Sequence, residues 1–230
     1  APGIYSLSQH SFIAPTGIAL YIVFALLLNE INNKFMKRSI QTIVYLPNFL
    51  SWVILATVVV NIFSYEGPIN AVLEMLGIEP ILFMASNKWF RSVLIVTDVW
   101  KGFGYGAIIY LAALSGIDPG LYEAAAIDGA NRFKRVWHIT LPGILPTIML
   151  VTIMNLPNVL NAGFDQIFNL YNPLVMETAD IIDTWVYRVG LVERQYSLGT
   201  AVGLLRSIVG IILMLSANKI AQKVTDYRIF

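Results

Sequence analysis

The chain has 230 residues, 57% of them hydrophobic and 13% charged, with a formal net charge of +1 and a mean hydropathy of +0.69. Soluble domains carry about 25% charged residues, so this is a membrane protein. Its cysteine count of zero excludes disulfides, thiolate metal sites and cysteine nucleophiles.

Five apolar stretches approach or exceed the ~20 residues that cross a bilayer. They cover about 11–29, 40–64, 92–115, 143–164 and 200–218. Apolar residues surround most of each stretch instead of forming one stripe, as in helices that face lipid. Pro15, Pro47, Pro146 and Pro157 fall within or near these spans and predict local kinks. The fold class is an all-α integral membrane protein, one domain over 1–230.

After the second span, 65–91 predicts a short helix over 68–76, stopped by Gly77 and Pro80. The loop 165–199 reads as ordered, with Trp185 and Tyr187 suited to the headgroup level. Between the third and fourth spans lies a polar element, 116–142. Asp118-Pro119 supplies an N-cap and a first-turn proline, and Tyr122 to Ile127 are mostly strong helix formers. Gly129 breaks the run, Asn131 caps a second short helix over 132–140, and Pro142 closes it. Two short helices with a glycine elbow make a knob too polar for lipid, which suggests a docking surface.

Orientation follows from lysine and arginine. Lys34, Lys37, Arg38, Arg132, Lys134, Arg135, Lys219, Lys223 and Arg228 fall on one side. The opposite loops hold Lys88, Arg91, Arg188 and Arg194 among eight acidic residues (Glu66, Glu74, Glu79, Asp165, Glu177, Asp180, Asp183 and Glu193). The 116–142 element and the C-terminus are therefore expected in the cytoplasm. The chain opens at Ala1 with no basic stretch and no signal peptide. Five spans with an external start predict a leading helix before it, six spans in the complete protein.

Catalytic machinery is not legible. No P-loop, H-E-x-x-H or G-x-S-x-G pattern occurs, and His10 and His138 are isolated. The alternating glycines of 101–106 lie within a span, where small residues let helices approach closely. In the fourth span Asn155, Asn158 and Asn161 recur every three residues around Pro157. That spacing keeps the three amides on one broad helix face, serving either as interhelical hydrogen-bond glue or as the lining of a polar path. Asp98 and Lys101, three apart, either neutralise each other or leave Lys101 facing that path. Arg206 stands near the outer end of the last span, within reach of outer-loop carboxylates.

Glu123-Ala124-Ala125, three residues, Gly129, nine residues, then Ile139-x-Leu141-Pro142, with Asp128-Gly129-Ala130 inside it, resembles the EAA loop of ABC importer permeases. The likeness extends over nearly the whole chain. Tyr45 to Phe49 and 177–190 are similar to the carbohydrate branch, close to lipo-oligosaccharide and polysaccharide permeases. The resemblance implies a MetI-like permease fold in the bacterial inner membrane, with the EAA loop as a coupling helix that docks on a separate ATPase subunit. It implies a second, usually different permease, two ATPases that bind ATP and magnesium, and an external solute-binding protein. No metal or cofactor is expected in this chain, which itself makes and breaks no covalent bond. On alignment with the maltose-type permease, Asn158 and Asn161 fall on sugar-contacting asparagines and Tyr105 on a sugar-stacking tyrosine, with Gly102 beside it. In that reading Lys101 and Arg206 attract an acidic sugar.

Overall fold

In a computed structural model, residues 17–155 and 163–225 are described, with side chains through Lys219. Every regular element among them is helical. The axis is α5, Asn87–Ser115, 29 residues long. A helix rises about 1.5 Å per residue, so α5 alone crosses a bilayer, and it carries a different core on each half. Its first half, with Phe90, Val93 and Leu94, packs with Val59 of α3 (Trp52–Ile62), Ile167 and Leu170 of α9 (Phe164–Leu170) and Ala179 of α10 (Met176–Ala179). Its second half, with Ala107, Tyr110 and Leu114, packs with Ala25 of α1 (Gly17–Asn29) and Ile144 of α8 (Leu141–Asn155).

Lipid tails are as apolar as leucine, so these helices associate by close packing rather than by the hydrophobic effect. The glycines of 101–106 do that work, as their spacing predicts. A Cβ on Gly104 would lie 2.5 Å from the Val44 carbonyl oxygen of α2 (Lys34–Phe49), and one on Gly106 would lie 2.5 Å from the Tyr21 ring of α1. Gly104→Ala is therefore expected to cost about 1–3 kcal/mol through overpacking. Gly203→Ala, which meets nothing within 4 Å, should be neutral or mildly stabilising. Thermal unfolding of the two variants in one detergent checks the contrast.

Among the described residues, three helices are long and apolar enough to cross a membrane: α5, Arg132–Asn155 and Tyr196–Lys219, the last being part of α12 (Tyr196–Thr225). The predicted 40–64 span is instead α2 and α3, bent by 105°. Pro47 lies inside α2, and Leu50 and Ser51 are extended at the break. The Ser51 hydroxyl then accepts from the Ile54 amide as the N-cap of α3. The first predicted span is described only as Gly17–Asn29. The predicted 92–115 span begins earlier, at Asn87, and the last begins at Tyr196 rather than 200. Pro15 and Pro157 lie outside the described residues.

Between α3 and α5 the expected short helix forms as α4, Pro68–Met75, ended by Gly77 at φ +75°. Buried Asn70 staples this loop: its amide donates to the Ser64 and Ile81 carbonyls and accepts from the Ile81 N–H.

Candidate functional site

The candidate docking element is α6, Pro119–Ile127. The Asp118 carboxylate accepts from the Gly120 N–H at 2.9 Å, and Pro119 occupies the first turn where no amide partner is needed. At the other end Asp128 is the C-cap and Gly129 follows at φ +75°. The Gly129 N–H reaches the Ala126 carbonyl (3.1 Å) and the Ala130 N–H the Ala125 carbonyl (2.8 Å). These two bonds are the Schellman pattern, which closes a helix on a left-handed glycine.

No residue of α6 is buried. Glu123 and Ala124 are exposed, Ala125 is half-buried, and Ile127 is 87% exposed. Alanines present a low surface with no rotamer entropy to lose, which suits insertion into a groove. Glu123 lies beyond the helix start: α6 begins at Pro119, and its first turn holds no acid. The N-terminal dipole therefore contributes little to Glu123.

The second half of the knob is not a separate helix. Asn131 caps α7 (Arg132–Arg135) by accepting from the Lys134 N–H, but α7 runs through a wide turn, Val136–Thr140, straight into α8. Pro142 does not close anything. It lacks the N–H a regular turn would use and its ring crowds the preceding turn; the chain widens there, with the Leu141 N–H reaching Val136. Ile139, Leu141 and Pro142 thus belong to one rigid rod that joins the knob to the core, with Leu141 packed beside Ile144. His138 bonds the Lys134 carbonyl of its own helix. The Tyr122 hydroxyl meets Thr140 Oγ1 at 3.0 Å, linking α6 to the wide turn, and Arg132 pairs with Glu30 at the end of α1.

The candidate path residues are placed unevenly. Asn158 and Asn161 lie outside the described residues. Asn155 is exposed and donates to the Val151 carbonyl one turn back. Tyr105 is 51% exposed, edge-on to Phe49 with ring centroids 6.4 Å apart. A Cβ on Gly102 would lie 2.9 Å from the Tyr21 hydroxyl, so Gly102 serves packing. Lys101 is the main correction. Its ammonium donates to the carbonyls of Pro47 (3.3 Å), Asn48 (3.0 Å) and Leu50 (2.6 Å), and it stands 5.6 Å from the Trp52 ring centroid. Instead of attracting an acidic sugar, it caps the broken end of α2, where the Pro47 carbonyl also accepts from the Leu50 N–H.

Arg206 finds an outer-loop carboxylate, as its position allowed: it pairs with Asp183 of α11 (Ile182–Val186). Two ties were not legible in the sequence. Buried Gln166 donates to the Leu94 carbonyl and Thr97 Oγ1, both at 2.8 Å, fastening α9 to α5; a lone amide in an apolar run was its only signal. Arg188 grips Asp180 through two bonds, 2.8 and 2.7 Å. Burial pushes the Asp180 carboxyl up, but bonds from Arg188, Thr184 and the Ile181 amide, with the guanidinium charge, outweigh it and hold it below the usual carboxylate range. A depressed native pKa contributes stability that is present above the unfolded value of about 3.9 and lost as pH falls through the native one. Acid scans below that value should therefore lower the melting temperature more in wild type than in Asp180→Asn.

Membrane-crossing helices gather around a long axial span, and α6, capped at both ends, leaves none of its residues buried among them. Residues 17–226 match the binding-protein-dependent transport system inner membrane component family, and the chain belongs to that family. Protein LplB of Bacillus subtilis (strain 168) is 44% identical over 210 residues, 91% of this chain and 66% of that protein. The polygalacturonan/rhamnogalacturonan transport system permease protein YteP of the same organism is 40% identical over 210 residues, 91% and 65%. The chain thus spans just under two thirds of these relatives. It superposes with TM-score 0.94 and 37% identity, over 99% of this chain and 80% of the other, on a bacterial alginate ABC transporter crystallised in complex with alginate pentasaccharide-bound periplasmic protein.

Proposed function

We propose that the chain is the permease subunit of an ABC importer that carries an oligosaccharide or polysaccharide fragment, acidic in character, into the cytoplasm. The observation that carries the reading is α6: a helix capped at both ends, with no buried residue, held at the end of a rod continuous with a membrane span. Its polypeptide neighbours leave Glu123, Ala124 and Ile127 open, so a groove on a separate ATPase can receive it. Asp128, Gly129 and Ala130 set its exit angle, and Ile139, Leu141 and Pro142 lie along the rod.

ATP and magnesium bind the ATPases. Their closure draws two coupling helices together and tips two permeases between inward- and outward-facing states, a rigid-body switch between packed arrangements. The second permease and an external solute-binding protein complete the assembly, with α6 and the C-terminus in the cytoplasm. Tyr105, Asn155, Asn158 and Asn161 are the side chains proposed for the path. The acidic preference rests on the likeness to the alginate and polygalacturonan systems, because Lys101 and Arg206 are engaged within the chain.

The test is uptake into vesicles holding the assembled transporter, with alginate pentasaccharide and a galacto-oligosaccharide as probes. Uptake is expected to need ATP and the binding protein and to favour the acidic probe. Uptake without an ATPase would replace this reading with that of a secondary transporter.

A further inference from the structure

We propose that the cleft between the second wide turn, Tyr187–Val192, and the start of α12 is a saccharide subsite that takes one or two pyranose rings. It rests on the import reading above and adds a site outside the residues proposed there for the path. The cleft is a largely open depression of about 460 Å³, lined by Phe164, Asp183, Tyr187, Leu191, Tyr196 and Thr200, among others. That volume is within the range of about 300–1,000 Å³ for small-molecule sites.

Three independent features point to a sugar. The first is a set of rings with fixed faces. Phe164 stacks on Phe168 at 5.1 Å, and Tyr187 stands edge-on to Phe168 at 4.9 Å. Tyr196 stands at the rim, 59% exposed. One face of a pyranose ring is a patch of C–H groups, which the negative face of an aromatic ring attracts.

The second is a placed acceptor. Asp183 lines the cleft while Arg206 of α12 holds it from behind. A carboxylate accepts from sugar hydroxyls without first having to be ordered.

The third is the backbone. Wide turns of this kind concentrate at functional sites, and here the turn is pressed against α12 through two glycines. A Cβ on Gly199 would lie 3.2 Å from the Gly190 Cα. Tyr187 and Tyr196 therefore line one open cleft.

The same geometry sets what is read. Arg206 is taken up by Asp183 and no residue named in the lining is basic, so the cleft offers no cation to a uronate's acid group. The subsite reads ring face and hydroxyls, and acidic and neutral saccharides should depend on it alike.

The experiment uses the assembled transporter in lipid nanodiscs and in vesicles, with alginate pentasaccharide and a galacto-oligosaccharide as probes. Tyr196→Ala is expected to raise the KM for uptake of either probe roughly five- to tenfold, the range one lost aromatic contact allows, while Tyr196→Trp stays near wild type. Tyr65→Ala, another exposed aromatic (54%) outside the cleft, should leave KM unchanged. Saturation-transfer NMR on wild type should show contact between aromatic protons and the probes, lost in Tyr196→Ala. Uptake with an unchanged KM in Tyr196→Ala overturns the subsite and leaves the import reading standing. Saturation transfer to neither probe in wild type, or displacement of the probes by added phospholipid, also overturns the subsite. Binding that persists in a transporter unable to import either probe overturns the import reading alone.

Discussion

A proline at position 129 is expected to abolish association with the ATPase while leaving membrane insertion intact. Gly129 sits at φ +75°, and proline is confined to about −65°. The substitution also deletes the N–H that closes onto the Ala126 carbonyl, so α6 loses its stop and α7 its direction. The spans are untouched, because no residue of α6 is buried against them. Gly129→Ala separates geometry from sterics. A Cβ there meets nothing within 4 Å, so only the left-handed penalty of about 1–2 kcal/mol applies, and docking should weaken without vanishing. Copurification of each variant with the ATPase subunit, scored by stoichiometry, is the measurement. Full occupancy in Gly129→Pro would remove α6 as the docking element.

Lys101→Met should loosen the 105° bend between α2 and α3. The ammonium donates to three carbonyls at that break, and methionine keeps the apolar stem but donates nothing. Hydrogen bonds to charged groups contribute about 1.5–3 kcal/mol each, and a carbonyl left unpaired away from water is costly. The variant should lose several degrees of melting temperature, and the bend should sample a wider range of angles. The chain has no cysteine, so spin labels introduced at Ile43 and Val60, both exposed, report the angle without background. An unchanged distance distribution would assign the bend to Pro47 and Ser51 alone. Arginine at 101 would not restore it fully, since a planar guanidinium cannot aim at three carbonyls as an ammonium does.

The capped helix within the 116–142 element was legible nearly to the residue. Asp118, Pro119, Gly129 and Asn131 act through local backbone chemistry, and caps and left-handed glycines work the same way wherever the chain folds. Pro142 was read as a stop because a proline near a helix edge usually is one; the wide turn at Val136–Thr140 absorbs it instead. The close-packing glycines of 101–106 were also legible, since their spacing within an apolar run leaves few other uses.

Side-chain partners across the bundle were not legible. Lys101 and the 47–50 carbonyls are separated by more than fifty residues, Gln166 and Leu94 by 72, and nothing in one strand of text pairs them. What the amino-acid order settled alone was membrane residence, the helical class and the capped polar knob, because hydropathy, periodicity and capping are short-range properties of neighbouring residues. What only the tertiary structure decided was that one lysine mends a broken helix, that an arginine is tied to an outer-loop acid, and that three rings and a carboxylate share one cleft. Such ties depend on which surfaces the bundle brings together, and in lipid that is governed by the fit of small residues and the need to pair every buried polar group.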